Sequence, residues 1–282
     1  MAESAEQEPR QLEGRVAVVT GAGRGIGAGI ARVLAERGAA VVVTDIDEDA
    51  ARSTADDIVR NGGVAEAHRT DVTDRKSLAG MADSVIEKHG KIDICVPNAG
   101  VVGAPGFTER TDFTDADWDM TNDVNLRGMV NTAEVVAAHM KERRQGKIVN
   151  IASQGGRAPR GADVVLGRQL IPYLVSKAGC IQWTHLLAQD LGKYDINVNC
   201  ICPGTVWTEI WEAVAENRVA TTDEYAGWTA REVYDRAIEM RHPLAVEQTP
   251  EDVGHAVAFF ASDEAAEITG QALNVNAGSV LS

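Results

Sequence analysis

Five short, almost unbroken apolar runs constrain this chain more than any other feature. They are RVAVVT (15–20), AAVVVTD (39–45), KIDICVPNAG (91–100), GKIVNIAS (146–153) and INVNCICPG (196–204). Each is too short for a buried helix and rich in the β-branched residues that suit strands. They do not alternate apolar with polar, so both faces of each strand must be covered. Segments with helical periodicity separate them. GIGAGIARVLAERG puts Ile26, Ile30, Val33 and Leu34 on one face and stops at Gly38. DRKSLAGMADSVIEKHG does the same with Leu78, Met81, Val85 and Ile86. Strands alternating with helices predict βαβ units, a parallel sheet and the α/β class.

The remaining elements fit that frame. DEDAARSTADDIVRNGG reads as a polar helix ended by Asn61-Gly62, and VAEAHRTD as a weaker strand. A long helix is expected over 115–143, another from about Tyr173 to Gly192, then PEDVGHAVAFFAS, with QALNVN as the last strand. A polar stretch with several tryptophans occupies 205–242. No repeat, low-complexity tract or second domain is visible. The 282 residues are expected to form one domain, residues 12–282, behind a disordered tail of residues 1–11.

A formal net charge of −15 disfavours nucleic acid and anionic membrane as partners. The four cysteines, Cys95, Cys180, Cys200 and Cys202, show no metal spacing and are expected to be free thiols. The scattered histidines form no metal motif, so no metal is expected. The N-terminus lacks an apolar leader and no run is long enough to span a bilayer. The expectation is a cytoplasmic protein.

The turn VVTGAGRGIGAG joins the first strand to the first helix. Gly21, Gly25 and Gly27 let the turn close and let backbone N–H groups approach a pyrophosphate at the positive end of the helix. Asp45 ends the second strand, where a carboxylate accepts hydrogen bonds from ribose hydroxyls and repels a 2′-phosphate. That favours NAD over NADP. Arg24, inside the turn, pulls the other way. Asp71 and Val72, after the third strand, are placed to meet adenine. Asn98, Ala99 and Gly100 end the fourth strand. All sit at carboxyl ends of strands, where open parallel sheets bind ligands.

Tyr173 and Lys177 are four apart on one helix and share a face. A nearby ammonium favours the phenolate, which suits tyrosine to general acid–base work near neutral pH. Ser153, at the end of a strand, can hold a substrate oxygen.

In combination, TGAGRGIG (20–27), Asp45, Asp71, NAG (98–100), Asn125 in DVNLRG, Ser153 in NIAS, YLVSK (173–177), PG (203–204) with Thr208, and ITGQALNV (268–275) resemble the short-chain dehydrogenase/reductase family, in its compact single-domain branch. The resemblance spans residues 12–282. It implies a Rossmann-type, doubly wound parallel sheet of about seven strands and a homotetramer. It implies Tyr173 as acid/base, Lys177 on the nicotinamide ribose, Ser153 orienting substrate, and Asn125 holding a water in a proton relay through Lys177. The cofactor path it implies runs past Ile26, Ile46, Pro203, Gly204, Val206 and Thr208 as well as the residues above.

One departure matters: 19 residues (154–172) separate Ser153 from Tyr173, where the family usually has about a dozen. The extra loop carries Arg157, Arg160 and Arg168 against one acid, Asp163, and anion recognition is one reading of it. Gln154 is expected to face substrate. The stretch 205–242 is expected to be the substrate lid, with Trp207 and Trp211 in the pocket and Trp228 in the core. The expected reaction is NAD-dependent interconversion of a secondary alcohol and a ketone, first on a polyol, sugar or related hydroxylated substrate. Alternatives are apolar cyclic or aromatic alcohols, an NADPH-dependent ketoreductase, a non-catalytic NAD(H)-binding protein, and an epimerase or dehydratase of the extended relatives.

Overall fold

Side chains alternate across a strand, and here both sides are apolar. In β1 (Val16–Thr20), Ala17 and Val19 enter one core while Val16 and Val18 enter another. β2 (Ala40–Asp45) divides in the same way, with Val41 and Val43 on the first side and Val42 on the second. Such strands are stable only between two helical layers, since each buried valine or isoleucine contributes roughly 1.5–3 kcal/mol. The structure is a computed structural model that describes residues 10–157 and 167–281.

The first layer holds α1 (Gly25–Glu36), α2 (Glu48–Arg60) and α9 (Pro250–Ala261). The second holds α3 (Arg75–His89), α5 (Gly128–Arg143) and α6 (Ile171–Leu191). Between them lie β3 (Val64–Arg69), β2, β1, β4 (Ile94–Val96), β5 (Gly146–Ile151), β6 (Ile196–Pro203) and β7 (Ala272–Val275), in that order, all parallel. The expected seven-stranded, doubly wound sheet is thus present. The order turns between β1 and β4, and that switch point opens a crevice at the strands' carboxyl ends. The weakly patterned VAEAHRTD owes its mixed character to its place at the sheet edge.

Three expectations about elements need correction. The long helix over 115–143 is not one regular helix. It comprises α4 (Asp115–Thr121), a π-helical turn over Asn122–Arg127, and α5. Such bulges widen the turn and re-aim side chains. α6 begins at Ile171, ahead of Tyr173, because Pro172 in its first turn gives up only an N–H that has no helical acceptor. The tail reading reached residue 11, yet Arg37 donates to Gln11 at 3.3 Å and Leu12 is buried. Residues 1–9 lie outside the described residues.

The stretch expected to form the lid contains α7 (Glu209–Thr221) and α8 (Ala230–Arg241). The cysteines are free and buried, and burial pushes the Cys95 thiol up to about 12. No helix among the described residues is long and apolar enough to cross a membrane.

Candidate active site

The glycine turn wraps the amino end of α1 and floors a groove of about 1410 Å³. Gly21, Arg24, Gly25, Ile26, Gly27, Asp45, Ile46, Asp71, Val72, Asn98, Ala99, Gly100, Tyr173, Lys177 and Thr208 all line it. A Cβ at Gly27 would overlap the carbonyl oxygen of Gly21 and crowd the amide of Asn98. Only glycine lets the turn fold this tightly. Asn98 fastens the turn from the other side, donating to the carbonyls of Thr20 (2.9 Å) and Gly21 (3.0 Å). Pro203, Gly204 and Val206 line the adjoining cleft instead.

The Asp45 carboxylate is held by two backbone N–H groups, from Gly23 at 3.0 Å and from Asp47 at 3.1 Å. Arg24 is drawn away from anion duty. Its guanidinium donates to Asp47 at 2.7 Å and to Glu209 of α7 at 3.0 Å. This end of the groove therefore presents Asp45, Asp47 and Glu209 around a single cation that they neutralise. The groove's shape, the backbone N–H groups at the helix start and the acid at the end of β2 fit a dinucleotide.

Tyr173 and Ser153 line a second cleft, of about 800 Å³. Groove and cleft meet at Ile26, Ala152, Tyr173, Thr208 and Ile210. Tyr173 is the titratable side chain at that junction. The Lys177 ammonium lies 5.8 Å from the Tyr173 ring centroid and donates to the carbonyl of Ile151 at 3.0 Å. Ser153 Oγ accepts from Gly155 N–H at 3.1 Å, which leaves its own proton to donate.

Asn125 sits in the π-helical turn, fully buried. Its Oδ1 accepts from Val101 N–H at 2.7 Å. Its Nδ2 donates to Val101 O at 2.9 Å and to Ser176 Oγ at 3.0 Å. Its backbone carbonyl accepts from the Cys180 thiol at 3.2 Å. The side chain thus clamps the segment after β4 to α6. A Cβ at Gly100 would come 3.3 Å from Asn125 Oδ1 and 3.4 Å from Lys177 Nζ. The bare backbone of Gly100 is what lets these two approach the groove wall.

The substrate-side expectations fare unevenly. Trp211 lines the cleft, but Trp207 does not. Trp207 stacks edge-on against Tyr234 with centroids 4.9 Å apart, under the guanidinium of Arg231. Its neighbour Val206 points inward, bridged to Gln248, so the residue after it is turned toward α8. Trp228, expected in the core, is 37% exposed and packs edge-on to Tyr225. Gln154 borders the cleft, yet its Oε1 accepts from Asn276 at 3.2 Å and from the Ser279 hydroxyl. It ties the loop to the C-terminal segment. Arg157 donates to the carbonyl of Ala272, and Arg168 pairs with Asp112 at 3.2 Å. These two arginines serve the loop's own attachment. Arg160 and Asp163 lie outside the described residues.

Several residues at the site carried no signal in the sequence. Leu170, Leu174, Ile210 and Val214 supply apolar wall, and Arg241 lies at its edge. Asn217, fully buried on α7, donates to the carbonyls of Phe107, Thr108 and Arg110 and accepts from Gln169. It pins the lid to the inserted loop. Asp117 accepts from Ala104 N–H at 2.8 Å and pairs with Arg110 at 2.6 Å, shaping the opposite rim. Buried amides and carboxylates bound to distant carbonyls and N–H groups leave no periodic trace.

Known proteins resemble this chain over nearly its whole length. A family model described as enoyl-(acyl carrier protein) reductase matches residues 21–279. The BbsD subunit of a hydroxy(phenyl)methyl-succinyl-CoA dehydrogenase from Thauera aromatica is 33% identical over 95% of this chain and 97% of its own. Among solved structures, a 7α-hydroxysteroid dehydrogenase complexed with NADH and 7-oxo glycochenodeoxycholic acid is similar with a TM-score of 0.80. It is 32% identical and covers 97% of each chain. An NAD+-bound xylitol dehydrogenase gives 0.85 at 29% identity, covering 95% of this chain and all of that one. The chain belongs to the short-chain dehydrogenase/reductase family and is an alcohol–ketone oxidoreductase of that type.

Proposed function

We propose that the protein is an NAD-dependent oxidoreductase that interconverts a secondary alcohol and a ketone on an apolar cyclic or aromatic framework. The observation that carries the substrate class is the cleft wall. Ile26, Val102, Leu170, Leu174, Trp211 and Val214 surround Ser153 and Tyr173 with hydrocarbon. The sequence put a polyol or sugar first, but a polyol would leave its hydroxyls unpaired against such walls, at a cost of about 1–3 kcal/mol each.

NAD, when bound, supplies the hydride chemistry. In this reading, Ser153 Oγ donates to the substrate oxygen and Tyr173 Oη takes the proton from the alcohol, or returns it to the ketone. Lys177, anchored on Ile151 O, keeps a positive charge beside the phenol ring. Asn125 is a positioning residue that fixes the wall behind Lys177. The preference for NAD rests on Asp45, held by two N–H groups, and on Arg24 being engaged by Asp47 and Glu209. A 2′-phosphate entering there would meet carboxylates.

Self-association belongs to the same reading. Val175 and Leu186 stand exposed on α6, and a homotetramer would cover them. Light scattering of the purified chain measures this directly.

The test of function is NADH formation from NAD+ across apolar cyclic and aromatic secondary alcohols, polyols and aldoses, with Tyr173→Phe as control. Turnover of the apolar alcohols alone supports the reading. Turnover of polyols alone returns the substrate class to the earlier expectation. Preference for NADP+ overturns the cofactor assignment.

A further inference from the structure

The first turn of α7 touches both halves of the site. Thr208 and Ile210 line the groove and the cleft alike, Glu209 lines the groove and Trp211 the cleft. This turn lies close on the glycine loop, since a Cβ at Gly25 would come 3.4 Å from the Thr208 methyl. An ion pair crosses the same contact. Both terminal nitrogens of Arg24 are committed. Nη2 donates to Asp47 at 2.7 Å, and Nη1 donates to the two carboxylate oxygens of Glu209 at 3.0 and 3.2 Å. The hydrogen bond to Glu209 does most to hold the Arg24 pKa above its ordinary value, and Asp45 is near enough to add to it. Asp47 is itself anchored, because it caps α2 by accepting from Ala50 N–H at 3.1 Å. Glu209, on a separate element, is the partner that can be exchanged.

Both side chains of this pair are exposed, and such a pair adds little to stability. Its consequence lies in which anion the cation meets. A guanidinium suits a phosphate as well as a carboxylate. The 2′-phosphate of NADP would enter beside Asp45, close to Arg24. We infer that Glu209 is a specificity-determining residue that ties the choice of dinucleotide to the seating of α7. With NAD, Arg24 stays on Glu209, and the first turn of α7 keeps Trp211 against the cleft. With NADP, the 2′-phosphate and Glu209 compete for Arg24. A phosphate that wins draws Arg24 off α7 and loosens the cleft as well. Discrimination against NADP thereby reaches the substrate, although the two sites are separate. This inference rests on the NAD reading of the groove.

The test measures NADH and NADPH binding to the full chain by quenching of protein fluorescence, and the alcohol KM with each oxidised dinucleotide. Glu209→Gln should lower the Kd for NADPH about tenfold and leave that for NADH within about twofold. Adding Arg24→Gln should cancel most of that gain. Glu212→Gln removes the same charge from an exposed position three residues along α7 and should change neither Kd. In the unaltered protein the alcohol KM should be about fivefold higher with NADP+ than with NAD+, and Glu209→Gln should bring the two together. An unchanged Kd for NADPH in Glu209→Gln overturns the assignment. So does a gain that persists in full without Arg24, or one that Glu212→Gln reproduces, since either would be an effect of bulk charge. An alcohol KM that is the same with both dinucleotides in the unaltered protein overturns the tie to α7. Failure of the NAD reading would show separately, as tighter binding of NADPH than of NADH by the unaltered protein. Failure of the alcohol–ketone reading would show as absent turnover, with the binding arm still deciding the role of Glu209.

Discussion

The cofactor groove and the substrate cleft share Tyr173 and lie side by side, yet they are built in opposite ways. The groove is made of strand ends and the turns that follow them. Its shape follows from local rules: a glycine turn, an acid closing a strand, a small residue where backbone must approach. The cleft is made of a loop, a lid and a helix start that are remote in the chain. Its shape is held by single buried polar residues, Asn217 from the lid and Asp117 from the facing rim. The groove fits a dinucleotide, and in the proposed function the cleft beside it sets the specificity.

That contrast can be broken at several points. The strongest effect is expected at the shared residue. Tyr173→Phe should lower kcat by about a thousandfold while leaving NADH binding, followed by fluorescence, nearly unchanged. A variant that keeps its turnover would separate the junction from the chemistry. Next is the groove alone. Asp45→Ser should shift the kcat/KM ratio of NADP+ to NAD+ by about a hundredfold toward NADP+, with the alcohol KM unaffected. A ratio that does not move would mean that Arg24, and not Asp45, sets the preference. For the cleft alone, Trp211→Ala should raise the KM for the alcohol about tenfold with the KM for NAD+ unchanged. Trp207→Ala should spare both constants and lower only the melting temperature.

The smallest effect on activity is expected below the sheet. Asp93 is buried at the start of β4. Burial pushes its carboxyl up, but Val16 N–H, Arg143 and Lys91 outweigh that and hold it below the usual carboxylate range. A lowered folded value means stability that is present above the unfolded value, near 4, and is lost as pH falls through the folded one. Asp93→Asn should cost about 2 kcal/mol at pH 7 and flatten the acid limb of the stability curve, with kcat unchanged. Unfolding in urea from pH 7 to pH 3 measures both. An acid limb as steep as before would assign the loss to other carboxylates.

The sheet was legible because valine and isoleucine runs bounded by glycine turns admit few other structures. Ser153, Tyr173 and Lys177 were legible through their position after a strand and their spacing on a helix. Asn125 was visible as a residue, but its π-helical setting was not, since nothing in NDVNLRG distinguishes a widened turn from a regular one. Trp207 and Trp211 looked equivalent in the sequence. The inward turn of Val206 decided which of them lines the cleft. The loop arginines drew attention through their charge, while Arg218, whose Nε and Nη2 meet no acceptor among the described residues, was an unremarked residue of a polar stretch.

The sequence by itself determined the parallel α/β sheet, the glycine turn at the start of the first helix and the shared helix face of Tyr173 and Lys177, because each depends on residues close together in the chain. Tertiary structure alone decided the lining of the cleft, the engagement of Arg24 and the enclosure of Arg218. Those depend on which distant groups are brought within hydrogen-bond reach, and no local periodicity encodes that.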